Sequence, residues 1–564
     1  MSRERFRHPR NFAFALLLVS LAPHGQVRPK ADLVLLGGAV YTVDASRSWA
    51  DAVAVRGGRI IYVGSDAKAK DLVAPETKVI ALGGKMVLPG FRDSHIHPVA
   101  GGLQIESCRL NDLQTPEAVL AAVRKYFEHN RGKKWIVGGG WDLPVFPDAN
   151  PRKEALDSIV GDIPAYFEAM DGHSAWVNSA ALRLAGIGRD TPDPPRGHIE
   201  RDPVTHEPSG TLRESATRLV ERHVPQPTPA DRLDGLRKVL RMAASFGITS
   251  LHEADATPEI LEAYAEMGRR GELTALVNAS LRVSPELGSR QIEELVRLRT
   301  AYNGKGLQAN AVKLFVDGVI ESHTAALLEP YLDRPGYRGE PNYSPEALNR
   351  LAADLDARGF QLHMHAIGDR AVRMALDACE FAQRANGRHD ARDHIAHLEL
   401  LDPSDIPRFA SLRVVADFES LWAYADTYIT RMTEPKLGPR RSRRLYPIGS
   451  IAASGAVIVG GSDWSVTSMN PLEAIQVAVT RLPLEGGTAK PWLPEERVDV
   501  RTMIAAYTIN GAFLDHQESE TGSIEVGKRA DLTVLDRNIL GIEPRSIHRA
   551  RVVQTIFSGK IIGN

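Results

Sequence analysis

Leu88-Pro-Gly-Phe-Arg-Asp-Ser-His-Ile-His-Pro98 sets two histidines two residues apart, directly after the apolar segment Met86 to Leu88. In an extended strand residues i and i+2 face the same side. His95 and His97 can therefore offer two imidazoles to one metal ion. Imidazole suits zinc, and also iron and nickel. A lone HxH is more often a hydrogen-bonded surface pair, so its weight depends on the rest of the chain.

Working outward, the sequence divides into three kinds of pattern. Ala31-Asp-Leu-Val-Leu-Leu-Gly-Gly-Ala-Val-Tyr-Thr-Val43 reads as strand, Gly-Gly turn and strand, and Ala52 to Gly64 repeats it as a hairpin. The far end has matching chemistry in Gly522 to Asp536 and Val552 to Ile562. Neither end can cover its apolar face alone, so residues 28–85 and 516–564 are expected to pair into one all-β domain without helices. Between them strands alternate with amphipathic helices. Leu233 to Phe246, Glu259 to Arg270, Gln291 to Tyr302 and Pro345 to Arg358 read as helices. The strands that follow them start near Gly247, Thr274, Asn310 and Phe360. Repeated units of this kind predict parallel strands with right-handed crossovers, and their number suits a closed (β/α)8 TIM barrel over residues 86–515. Pro- and Gly-rich stretches interrupt the alternation from Thr115 to Pro229, which predicts an insertion after the first barrel strand that caps the active face.

Composition narrows the function. The chain has 564 residues, a formal net charge of −1, 43% hydrophobic and 25% charged residues. No basic field exists to hold nucleic acid. Two distant cysteines, Cys108 and Cys379, exclude a disulfide framework and a CxxC metal or redox motif. Arg3, Arg5, Arg7 and Arg10 precede the apolar run Phe12 to Ala22. A basic head before a short apolar core reads as a secretory signal over residues 1–27. The expected location is then periplasmic or extracellular, and cytoplasmic if the segment is not a signal. The apolar run is too short to span a bilayer, and no later segment is apolar enough to do so. The expected partner is a small-molecule substrate. The sequence is silent on oligomeric state, a homo-oligomer included.

In a barrel the working residues lie where strands end and loops begin. His95 and His97 fall there, as do His363 and His365 before Ala-Ile-Gly-Asp369, His394 and His397 in Asp393-His-Ile-Ala-His-Leu-Glu399, and Asp463 after Ala456 to Ser462. Lys313 sits between Val312, Leu314 and Phe315, which points to burial. A buried ammonium is costly unless neutralised. A neutral lysine amine can take up carbon dioxide and bridge two metals as a carbamate. Taken singly, His397 reads as a satisfied core histidine and Asp463 as a helix N-cap. Together these residues are hard to explain as unrelated accidents.

With these motifs the chain resembles the amidohydrolase superfamily, in its amidohydrolase family 3 (N-substituted formamide deformylase-like) branch. The resemblance also rests on Trp135-Ile-Val-Gly-Gly-Gly-Trp-Asp142, Asp171-Gly-His-Ser-Ala-Trp-Val-Asn178, Val312-Lys-Leu-Phe-Val-Asp-Gly318, His365-Ala-Ile-Gly-Asp-Arg-Ala-Val372 and Gly527-Lys-Arg-Ala-Asp-Leu532. It implies a metal-bearing barrel with a composite β-sandwich made from both chain ends, and two divalent metals, zinc first. His95, His97 and Asp463 would hold one, His365 and His397 the other, and carboxylated Lys313 would bridge them. It places Trp141, Asp142 and His173 near substrate. Two departures stand out. The family usually reads Arg-Ile-Glu-His-Ala-Gln where this chain has His394 to Glu399, which makes His394 a candidate substrate contact or a supporting residue. Trp464-Ser465 follows Asp463 where Ala-Pro or similar is common.

The reaction expected is metal-assisted hydrolysis of a non-peptide amide-type C–N bond, of the N-acyl or N-formyl amine class. Water acidified by the metals attacks the carbonyl, and Asp463 moves the proton to the leaving nitrogen. One rival is a mononuclear deaminase. Those barrels carry a glutamate three residues after the fifth-strand histidine, where this chain has Gly368, and Lys313 would have no role. The other rival is a degenerate, non-catalytic barrel used for binding. That class normally loses ligands, and none is missing here.

Overall fold

The computed structural model describes residues 30–563 except 112, 305 and 487–489. The expected signal over residues 1–27 lies outside the described residues. Among them, no helix is long and apolar enough to cross a membrane.

The two chain ends meet in one sheet. Leu532–Leu535 pairs antiparallel with Met86–Pro89, which pairs parallel with Ala39–Tyr41; Val552–Phe557 and Lys560–Gly563 extend the other edge. A second sheet runs Arg59–Gly64, Ala52–Arg56, Leu33–Leu36, Lys78–Ala81. Alternate apolar residues of both sheets, among them Leu35, Val53, Val87, Leu532 and Ile556, share one buried layer. Two details differ from the sequence pattern. Asp66–Lys70 forms a short helix in this otherwise β unit, and the boundary with the barrel falls after Pro89 rather than at 86. Five residues are too few to show a helical period.

The eight-stranded parallel sheet that follows is a nearly closed barrel. Its strands are β1 (Phe91–Ile96), β2 (Ile248–Ala256), β3 (Leu276–Arg282), β4 (Leu307–Phe315), β5 (Gln361–Ala366), β6 (His394–His397), β7 (Val415–Phe418) and β8 (Ile458–Gly460). The seam between β8 and β1 is bridged just past the end of β8, where the N–H groups of Ser462 and Asp463 donate to His95 O at 3.2 and 2.7 Å. Gly461 makes that approach possible, since a Cβ there would lie 2.6 Å from His95 Cβ. Proline and a polar cap start many of the outer helices. In Pro229–Ser245, Thr228 and Asp231 form a reciprocal capping box; in Pro345–Asp356, Ser344 accepts from Ala347 N–H. These helices bury one apolar stripe each against the barrel.

The insertion has a fold of its own. Its six-stranded sheet runs Gly197–Arg201, Pro208–Glu214, Ser174–Val177, Ala165–Ala169, Ile136–Trp141, Cys108–Arg109. It begins at Cys108, earlier than the pattern change at Thr115, because a two-residue strand leaves no periodic signal. It closes at Thr228, the cap of the next barrel helix. The loops after Trp141 and Ala169 bring Asp142, Asp171 and His173 to the barrel mouth, where they line the same cavity as His95 and Lys313.

Candidate metal centre

Strand register decides which polar side chains reach the mouth. Phe315 pairs with His365, His365 with Ala396, and Ala366 with His397. His95 and His97 come from the end of β1 and the cap of the helix Pro98–Ile105. Lys313 pairs with His363, one row deeper, but its long side chain carries Nζ to 3.1 Å from His95 Nε2. Asp463 lies in the turn after β8, with φ 49°, and His397 at the end of β6 has φ 78°. Such left-handed conformations in non-glycine residues are strained and are held here by the surrounding packing.

His95, His97, Lys313, His365, His397 and Asp463 all line one cavity of about 410 Å³. Asp463 Oδ1 lies 3.1 Å from His97 Nε2 and 3.6 Å from His95 Nε2. The rings of His95 and His397 are 4.8 Å apart, and those of His365 and His397 4.5 Å. Nitrogen and oxygen atoms of His95, His397 and Asp463 come close enough to share one ion.

The other face of each imidazole meets a buried carboxylate. His397 Nδ1 is 3.0 Å from Glu419 Oε2, and His95 Nδ1 is 3.8 Å from Glu419 Oε1. His97 Nδ1 is 3.6 Å from Glu253 Oε1, and His365 Nδ1 is 3.5 Å from Asp317 Oδ1. Carboxylates behind histidines orient ligands and fix their tautomer. Several atoms of this shell have no hydrogen-bond partner although buried: Glu253 Oε1, Glu419 Oε1 and His365 Nδ1. Orphaned polar atoms beside converging imidazoles fit a site built around a cation.

The electrostatics agree. Burial, then the Lys313 charge, holds His95 well below 6.5; burial, then His397, does the same for His365. His397 is lowered to about 3, chiefly by burial. Ligand histidines must be neutral. His97 differs: burial pulls it down, but Asp463 and Glu253 outweigh that and raise it to about 10. A cation seated between His97 and Asp463 would take the place of that proton. Burial brings the fully buried Lys313 amine down to about 8, opposed by Asp463 and Asp255, so part of it is neutral near pH 7. Burial pushes Asp463 up, but the His97 hydrogen bond and neighbouring charges prevail and keep it ionised.

Of the residues expected near substrate, Asp142 and His173 line the cavity, whereas Trp141 and His394 do not. Trp141 is buried in the core of the insertion, and its Nε1–H donates to Phe167 O at 3.0 Å. His394 lies inside the barrel, its ring 4.0 Å from that of His363. Alternation along its strand turns His394 into the barrel, but below the level of the cavity, whereas Trp141 ends a strand of the insertion's own sheet. Sequence reasoning gives no role to Glu253, Asp317 and Glu419, or to the wall carboxylates Glu168, Asp171, Glu321, Glu399 and Asp426, although Asp171, Asp317 and Glu399 stand inside its motifs. A carboxylate just inside or after an apolar strand, the pattern that singles out Asp463, also marks Glu253 and Glu419.

Comparison with known proteins adds the following. The amidohydrolase family model matches residues 78–562. Protein LONG AFTER FAR-RED 3 of Arabidopsis thaliana is 32% identical over 561 residues, covering 96% of this chain and 93% of its own. The N-substituted formamide deformylase of Arthrobacter pascens is 28% identical over 543 residues, covering 94% and 97%. A crystal structure of an uncharacterized metal-dependent hydrolase from Pyrococcus furiosus aligns with TM-score 0.70 and 26% identity over 90% of this chain and 99% of that one.

Proposed function

The chain belongs to the amidohydrolase family, and from that premise we propose that it hydrolyses a non-peptide amide-type C–N bond in an N-acyl or N-formyl amine. The observation that carries the proposal is the convergence of His95, His97, Lys313, His365, His397 and Asp463 in the wall of one cavity. His95, His97 and Asp463 would hold one divalent cation and His365 and His397 a second, with carboxylated Lys313 between them. Zinc fits the imidazole and carboxylate donors. Bound there, such cations acidify water and polarise a carbonyl.

The chain's own groups then manage the proton and the charge. Asp463, kept ionised by His97, accepts the proton of the attacking water on a carboxylate oxygen and hands it to the leaving nitrogen. A C–O bond forms at the acyl carbon, the C–N bond breaks, and a carboxylate and an amine leave. His173 Nδ1 lies 3.1 Å from Glu214 Oε2. Burial lowers its pKa, but Glu214 overcomes this and raises it to about 9. The resulting positive charge on the cavity wall favours negative charge growing on the substrate oxygen. The likeness to a relative named for deformylating N-substituted formamides supports this bond class.

The test is a panel of N-formyl and N-acyl amines given to metal-reconstituted protein, with amine release measured and ammonia release from aminopurines assayed in parallel. Amine release that Asp463→Asn abolishes is the expected result. Ammonia release alone would move the reading to a deaminase, and no turnover by protein holding two metals per chain would count against hydrolysis. Lys313→Ala should abolish binuclear loading. Two metals retained after that change would remove the carbamate.

A further inference from the structure

Beside the metal centre, the remaining wall of the cavity is strongly acidic. Asp142, Glu168, Asp171, Glu321, Glu399 and Asp426 line it together with Asp255. Among the described residues, the lysine and arginine on that wall are Lys313, already placed in the metal centre, and Arg282. Arg282 is engaged by Asp255 through two contacts, Nε to Oδ1 at 2.8 Å and Nη2 to Oδ2 at 2.5 Å. His173 is matched by Glu214. Beyond the wall, Lys436 bears on Glu321. The acids therefore outnumber the bases around a space the size of a small molecule. They also come from separate pieces of chain: the insertion, the loop after β4, the end of β6 and the loop after β7. Thr433 Oγ1 donates to Glu321, and Gln104 Nε2 donates to Glu168 Oε2 at 3.2 Å. These donors are neutral. Burial, with the neighbouring acids, raises Glu168 to about 7 and Asp426 to about 6 and lifts Asp171, Glu321 and Glu399 above the usual carboxylate range, so a cation seated among them would favour their ionised forms.

The same wall carries the rings of Trp422, Tyr428, Tyr446 and Phe315. Aromatic faces among carboxylates attract a cation by two routes, the ring quadrupole and direct charge, and both strengthen where water is excluded. An anionic substrate would meet repulsion there, and a neutral one would leave several carboxylates facing an uncharged group.

We propose that the substrate carries a second, positively charged nitrogen: it is an N-acyl or N-formyl amide with an ammonium or guanidinium group that sits among Asp142, Asp171, Glu321, Glu399 and Asp426. This rests on the hydrolytic reading above and adds the charge of the molecule hydrolysed. The bond chemistry is unchanged; water adds to the acyl carbon and the amine leaves, and the charged group is recognised without reacting.

The test uses metal-loaded protein and three N-formylpentylamines that differ only at the far end: ammonium, methyl or carboxylate. A mirror set of N-methyl hexanamides bears the same groups on the acyl side, and the set showing the preference tells which side carries the charge. The ammonium compound is expected to exceed the methyl one in kcat/KM by about tenfold or more, with the carboxylate lowest. Glu321→Gln with Asp426→Asn should shrink that ratio toward one. Equal or faster turnover of the methyl compounds in both sets overturns the proposal. Binding is read separately, as the thermal shift given by 1,5-diaminopentane against pentan-1-ol. Stabilisation by the diamine, with none of the amides cleaved, supports the charge preference and defeats the hydrolytic reading. No stabilisation, with neutral amides cleaved, leaves hydrolysis standing and removes the charge preference.

Discussion

Two rows of histidines line the inside of one barrel, and only the upper row meets the cavity. His95, His97, His365 and His397 form the upper row; His252, His363 and His394 lie beneath it. His363 and His365 share a strand and a face, yet two residues along a strand is a rise of about 6.6 Å. That rise puts His365 at the cavity and His363 beneath it, where the ring nitrogens of His252, His363 and His394 also come close enough together to share an ion. In the upper row each Nδ1 faces a carboxylate. In the lower row His252 and His363 are tied into a chain, while both ring nitrogens of His394 are buried without a hydrogen-bond partner. Asp515 Oδ1 is 3.0 Å from His252 Nδ1, and Ser280 Oγ lies 2.8 Å from both His252 Nε2 and His363 Nδ1. His363 Nε2 then reaches His95 Nδ1 at 3.0 Å. Below that chain, Arg92 Nη2 donates to Asp515 Oδ2 at 2.5 Å and to Gln517 Oε1 at 2.8 Å. The same residue types face an open cavity at one end of the strands and pack against one another beneath it, and height along the strand separates the two settings.

That contrast can be broken most directly at Asp463. Asp463→Asn keeps the shape but removes the proton acceptor, and kcat/KM should fall about 10²- to 10⁴-fold. A variant within tenfold of wild type would take Asp463 out of the upper row's chemistry. The matching change at the lower end is Asp515→Asn, which strips the buried Arg92 guanidinium of its carboxylate partner and leaves it the neutral Gln517. It should lower unfolding free energy by about 3 kcal/mol in urea titrations, with metal content unchanged. Metal loss with no loss of stability would invert the comparison.

The same pair has a pH signature. Burial raises the Asp515 pKa, but Arg92 and His252 outweigh it and hold the carboxyl below its ordinary 3.8. A carboxyl depressed in the folded state contributes stability above its unfolded pKa and loses it as pH falls through the folded value. The stability gap between wild type and Asp515→Asn should therefore be full near neutrality and shrink below about pH 4. A gap unchanged in acid would show that the pair is not the source.

Glu419→Gln tests how the upper row is oriented. It should weaken metal retention about 10- to 100-fold against a chelator, because His397 and His95 both face that carboxylate. The smallest effect is expected at Trp141→Phe. Loss of its hydrogen bond to Phe167 O should cost about 1 kcal/mol of stability. Turnover should stay within about twofold, because the ring lies in the core of the insertion. A large loss of turnover would return Trp141 to the substrate.

Much of the barrel was legible because its signals are local. The β/α alternation, the polar caps and the strand-end positions of His95, His365, His397 and Asp463 can all be read along the chain. The supporting carboxylates were less legible. Glu253, Asp317 and Glu419 are single acidic residues near apolar strands, and nothing nearby in sequence says which histidine each will face. The insertion hid its sheet because its first strand has two residues and its Ile136–Trp141 strand is half glycine.

Sequence by itself determined the kinds of donor available, the two-residue spacing that turns them inward and the repeated unit that closes a barrel. These depend on bonds and periods within a few residues, and distance along the chain does not blur them. Tertiary structure alone decided height and company: His365 over His363, Asp142 in the cavity but Trp141 behind it, and a wall of carboxylates gathered from remote loops. Those outcomes depend on register between strands and on how the insertion is seated over the barrel, which no short stretch of residues encodes.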